Sequence, residues 1–262
     1  MSTATLRLTP RQRRAFRLLV AGEIKIAIRR PVALFVAIGI PFVLLVIFGS
    51  VPATTRPRAA LGGISFFSLY VPTLIVFVLI AVGLTGLPQQ LSTYRQQGVL
   101  RRMSTTPVAP SWLLAAQTTV SLILGVIGIG ILLGAGAGAY GLALPHDAGA
   151  DVLSLVALVL TASATIGLGL VVAAVAKTPQ IAGAITALCF YPLAFFSGLY
   201  VPLQEIHSQL ITDIAKALPT GAGFNALHAA FTGHSPGLLP FLVLAGWAIG
   251  CSLAAARLFR WE

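Results

Sequence analysis

Residues 59–102 read AALGGISFFSLYVPTLIVFVLIAVGLTGLPQQLSTYRQQGVLRR. From Ala59 to Tyr94 there is no Asp, Glu, Lys or Arg over 36 residues, and then Arg95, Arg101 and Arg102 follow within eight. About 20 apolar residues cross the ~30 Å hydrocarbon layer as a helix. The stretch therefore holds a membrane span near 65–88 and then a basic segment, 89–110, that returns to water. The pattern recurs outward in both directions. Stretches 31–55, 103–146, 152–176, 178–204 and 217–256 are also free of charge, and with 59–94 they make up 197 of the 262 residues. Only 9% of the chain is charged and 57% is hydrophobic, against about 25% charge in an ordinary soluble domain. A soluble enzyme, a nucleic-acid binder and a secreted disulfide scaffold are excluded. The expected fold is an all-α membrane protein, one domain over 1–262. Its six transmembrane helices are expected at about 31–50, 65–88, 111–140, 152–176, 180–196 and 238–258.

The net charge of +11 reports orientation. With six spans and both termini cytoplasmic, the inner segments hold Arg7, Arg11, Arg13, Arg14, Arg17, Lys25, Arg29, Arg30, Arg95, Arg101, Arg102, Lys177, Arg257 and Arg260. The outer segments hold only Arg56, Arg58 and Lys216. That imbalance satisfies the positive-inside rule and adds attraction to anionic lipid. Cys189 and Cys251 fall inside apolar stretches as small packing residues.

Ahead of the first span, residues 9–29 read as an interfacial helix. Thr9 caps it, Pro10 suits its first turn, and Phe16, Leu19, Val20, Ile24, Ala27 and Ile28 share a face opposite Arg11, Arg14, Lys25 and Arg29. Glu23 interrupts that apolar face. A plain basic tail that enforces orientation is the other reading. In the third span Gly130, Gly134 and Gly138 repeat every four residues, the spacing that lets helices approach closely. Between the fifth and sixth spans, Gln204–Leu218 and Phe224–Phe231 read as short external helices, surface-lying or partly inserted.

Motifs for chemistry are absent. There is no phosphate loop, HExxH, CxxC or GxSxG. Gly136-x-Gly138-x-x-Gly141 matches GxGxxG in form, but it closes an apolar helix, where a dinucleotide site needs a preceding strand. No metal ligand set and no catalytic residue is expected. The spans themselves hold no acid, base or histidine, although ion-driven carriers need such ligands within the membrane. Energy for uphill transport would have to come from a partner. The segment Tyr94–Pro107 is the best partner site, with Val99, Leu100 and Met103 as an apolar ridge among arginines. A loop that only sets topology explains its composition equally well.

Three motifs in order resemble one family. Glu23, Arg30-Pro31, Pro41 and Phe48-Gly49 form the first. Arg95-Gln96-Gln97-Gly98-Val99-Leu100, then Met103 and Thr106-Pro107, form the second. Ser197-Gly198, Pro202, Glu205 and Leu218-Pro219 form the third. Together they are similar to the membrane half of type-2 ATP-binding-cassette exporters, including the antibiotic and daunorubicin-resistance permeases, over essentially the whole chain. Gln96 replaces a common glutamate, Val99 a common threonine and His207 a common proline.

The resemblance implies a multi-pass permease of a bacterial-type cytoplasmic membrane. It implies pairing with a second permease half, the same or a related chain, and two cytoplasmic ATPase subunits carrying ATP and Mg, with no cofactor on this chain. It implies ATPase coupling through Arg95, Gln96, Gly98, Leu100, Arg101, Arg102 and Met103, supported by Arg14, Arg17 and Glu23. The second and fifth spans would flank the substrate path, with Phe77, Phe190, Phe195 and Phe196 as lining. The cargo would be a hydrophobic drug, antibiotic or lipid-like compound. Polysaccharide or glycolipid export is the alternative within the superfamily. A secondary carrier or a membrane-embedded enzyme would come from outside it.

Overall fold

The computed structural model describes residues 10–58, 63–99, 102, 111–142, 148–201 and 208–258. Among the described residues, five helices are long and apolar enough to cross a membrane. They are α2 (Pro31–Ser50), α3 (Phe66–Gln96), α4 (Ser111–Tyr140), α5 (Ala148–Val175, spanning from Asp151) and α9 (Leu239–Leu258). Preceding them is α1 (Pro10–Ile28); between α5 and α9 come α6 (Pro179–Phe195), α7 (Gln209–Ala217) and α8 (Pro219–Phe231). The helix α6 is apolar but has 17 residues, about 26 Å at 1.5 Å per residue, a little short of the hydrocarbon thickness. A two-stranded ribbon, β1 (Pro57–Arg58) with β2 (Ile64–Ser65), joins α2 to α3.

At the centre stands α3, where every residue from Tyr70 to Leu84 is buried. The sequence predicts its end near residue 88, yet the helix runs on to Gln96. Pro88 has no amide to give the carbonyl four residues back. That carbonyl, Leu84 O, instead receives the Thr186 hydroxyl of α6 at 3.1 Å. Just before the proline, Val82–Gly86 widens into a π turn. In α2 the same arrangement recurs, with Phe35–Gly39 as a π turn ahead of Pro41. Termination of α3 comes at Gly98, whose φ of +67° supplies the left-handed residue that commonly ends helices.

Close approach is made by glycines that the repeat spacing does not single out. A Cβ on Gly169 of α5 would overlap the Gly83 carbonyl oxygen of α3, and a Cβ on Gly83 would sit 2.8 Å from the Thr165 carbonyl. By contrast, Gly130, Gly134 and Gly138 face open space in this chain. The GxGxxG match is a helix terminus: the Leu142 amide donates to Gly136 O at 3.0 Å across Gly141, whose φ of +64° is the left-handed conformation that commonly ends helices.

The α7–α8 hairpin packs into the helix bundle. Trp247 Nε1 of α9 donates to Ala217 O at the α7 end, 2.9 Å away. Gly223 of α8 lies against Thr161 of α5, 13 residues into that helix, or about 20 Å at the helical rise. Pro219 starts α8, and the run Thr220–Phe224 is wholly buried.

Candidate functional site

Polar side chains otherwise scarce in the chain converge where α1, α3, α4 and α5 end together. Among the described residues of α1 only Glu23 is buried, at 6% exposure. Its carboxylate accepts from Tyr94 Oη of α3 at 2.7 Å and from Gln117 Nε2 of α4. Phe16 packs edge-on to Trp112 at 6.2 Å, so α1 is fastened to α4 at two levels. The residue that interrupts the apolar face is thus the inward anchor of the helix. Arg13, Arg14 and Arg17 remain exposed on the other side.

One residue after Tyr94, Arg95 turns the opposite way. Its Nη1 donates to Ala173 O at 3.2 Å and Ala176 O at 2.7 Å, and Ser92 Oγ reaches Ala176 O at 3.5 Å. The last carbonyls of a helix lack intrahelical donors, and a cation there also suits the helix dipole. Arg95 therefore closes the end of α5, while Tyr94 holds α1. Consecutive residues of one helix tie the ends of four helices into one body.

The other sequence-predicted residues fall as follows. Gln96 is exposed, Gly98 forms the turn, and Arg102 is exposed with its guanidinium donating to Gln97 O at 3.1 Å. Leu100, Arg101 and Met103 lie outside the described residues. Phe77 and Phe190 are buried against each other with ring centres 5.5 Å apart. Phe195 and Phe196 are half-buried neighbours at 5.3 Å. Sequence reasoning missed Gln117, Gln90 and Thr186. Their signal was there: each is a polar residue at the edge of, or within, an apolar run.

Burial raises the Glu23 carboxyl above its ordinary 4.5, with the Tyr94 hydroxyl and nearby Arg30 opposing the rise. A carboxyl raised by folding binds its proton more tightly in the native state, so stability falls as pH rises. The penalty is absent below the ordinary value, grows towards the raised one and is complete above it. Thermal unfolding of wild type in detergent should therefore worsen with rising pH relative to Glu23→Gln. Parallel pH curves for the two proteins would contradict this assignment.

Residues 14–232 match the family model described as ABC-2 type transporter. No curated protein matches the chain.

Proposed function

The chain belongs to the ABC-2 type transporter family, and from that premise we propose that it is the membrane permease of an ATP-driven exporter. Membership makes it a multi-pass membrane protein that associates with an ABC ATPase and is not itself the catalytic subunit. Beyond that, α6 acts as a sixth, short span, so that both termini and the 89–110 loop face the cytoplasm. Two permease halves pair, each docking one ATPase, in a cytoplasmic membrane of bacterial type. ATP and Mg sit on the ATPases.

The observation that carries the reading is the tie at the ends of α1, α3, α4 and α5. A push on the loop after Arg95 would pass the Gly98 turn and reach α5 through Arg95 and α1 through Tyr94. Leu100, Arg101, Arg102 and Met103 would receive that push, supported by Arg14 and Arg17 on the exposed face of α1. Cargo would leave along the exposed face of α6 at the permease pairing surface, with the buried α3 behind it. The exposed residues Ile181, Leu188 and Tyr191 favour an apolar drug, antibiotic or lipid-like compound. Phe77 and Phe190 back this face, and Phe195 and Phe196 border its end.

Inverted membrane vesicles carrying the chain with its cognate cassette ATPase should take up a lipophilic dye only with ATP, and vanadate should stop them. The purified chain alone should hydrolyse no ATP. Undiminished uptake without any ATPase would overturn the proposal in favour of a secondary carrier.

A further inference from the structure

Beside Glu23 a cavity of about 60 Å³ opens between α1, α2, α3 and α4. Gln90 of α3 lines it, is 5% exposed, and its Oε1 is buried with no hydrogen-bond partner. A buried acceptor left unpaired costs about 1–3 kcal/mol, so Gln90 Oε1 lacks a donor. Glu23, also on its wall, uses two of the roughly four acceptor positions of a carboxylate, and both its partners are neutral side chains. Arg30 lines the same space, close enough to Glu23 to act on its charge. The remaining walls are mostly apolar, among them Leu34, Val120 and Leu124, with Gln117, Ser121 and Thr85 as further polar residues. Both π turns border this cavity, through Ala37 on one side and Val82 and Gly86 on the other. Such turns often accompany functional sites.

Inside, then, are an anionic acceptor and an orphaned neutral one; beside them is a guanidinium. The host helix, whose amphipathic sequence suits a membrane surface, keeps Leu18 and Ile28 exposed. We infer that this cavity binds the headgroup of a phosphatidylethanolamine-type lipid, with its primary ammonium donating to Gln90 Oε1 and Glu23 and its phosphate meeting Arg30. At about 10–15 Å³ per water-sized group, 60 Å³ takes an ammonium and its adjoining carbons. A choline headgroup brings three methyl groups and no N–H, so it offers neither fit nor donor. The lipid would fill the space between α1 and the spans and hold the interfacial helix in place. This site is independent of what the transporter exports.

Native mass spectrometry of the full chain, released from detergent containing equimolar phosphatidylethanolamine and phosphatidylcholine of identical acyl chains, tests it. Wild type should retain the ethanolamine lipid about tenfold over the choline lipid, equivalent to ~1.4 kcal/mol. Gln90→Leu and Glu23→Gln should each bring the two lipids towards parity, and two different variants guard against one that fails to fold. Parity in wild type, meaning the cavity holds water only, would overturn the inference. So would an unchanged preference in both variants. Soluble phosphoethanolamine at the lipid's concentration should leave the adduct in place; displacement would assign the site to a free amine and overturn the lipid reading. Dye transport is measured separately, so failure here and failure of the exporter proposal are distinguishable.

Discussion

Gly169→Ala should cost about 3 kcal/mol, the upper end for overpacking, because the added methyl meets backbone rather than a side chain that can swing away. The obstacle is the Gly83 carbonyl oxygen of α3. Gly83 in turn faces Thr165 and Ile166 of α5, so neither helix can retreat without opening the seam along both. Interiors are packed near crystal density, and the buried run of α3 leaves no slack to absorb a shift. Gly130→Ala is the matched control, since a methyl there meets nothing within 4 Å. Fluorescence-detected gel filtration after heating should show early loss of the monodisperse peak for Gly169→Ala and none for Gly130→Ala. Equal survival of the two would mean that α3 and α5 do not touch through these glycines.

Arg95→Ala should separate ATP hydrolysis from transport. The side chain makes two charge-assisted bonds to the end of α5, and each bond of that kind contributes about 1.5–3 kcal/mol. Without them the end of α5 keeps only the longer Ser92 bond to this end of α3, while the exposed residues of the loop are untouched. With the ATPase present, transport per ATP hydrolysed should fall about tenfold, a difference of ~1.4 kcal/mol between coupled states. Arg95→Lys should restore part of it, since an ammonium keeps the charge but not the planar fork that spans two carbonyls. An unchanged ratio in Arg95→Ala would remove Arg95 from the coupling route, whatever happened to stability. The ratio is the informative readout because general destabilisation lowers both quantities together.

The placement of helices was legible because lipid punishes charge. Charge-free stretches enclose all or nearly all of α2, α4, α5 and α9. The second span was cut short because Pro88, Gln89 and Gln90 resemble a boundary. What carries the helix past them is Thr186, 102 residues away, and no local pattern encodes that bond. The polar cluster was hidden for the same reason. Glu23 reads as a flaw in an amphipathic helix until Tyr94 and Gln117, 71 and 94 residues distant, are brought to it. Arg95 reads from its charge as water-facing, but the free carbonyls of α5 draw it inward. The glycines that matter were missed because repeat spacing describes a helix surface, whereas Gly83 and Gly169 matter through the one neighbour each happens to meet.

The π turn at Val82–Gly86 also fixes the phase of α3. A π turn accommodates one residue more than an α turn, and one residue rotates everything beyond it by about 100°. The half of α3 that packs through Phe77 and the half that carries Tyr94 and Arg95 are thus indexed separately, like two gears keyed to one shaft. Removing a single residue from 82–86 would let the helix relax to regular winding. Winding all five residues as regular α-helix, with none removed, would swing Tyr94 away from Glu23 and Arg95 away from Ala176. The winding of this segment, more than its chemistry, sets which helices the far end of α3 can grip.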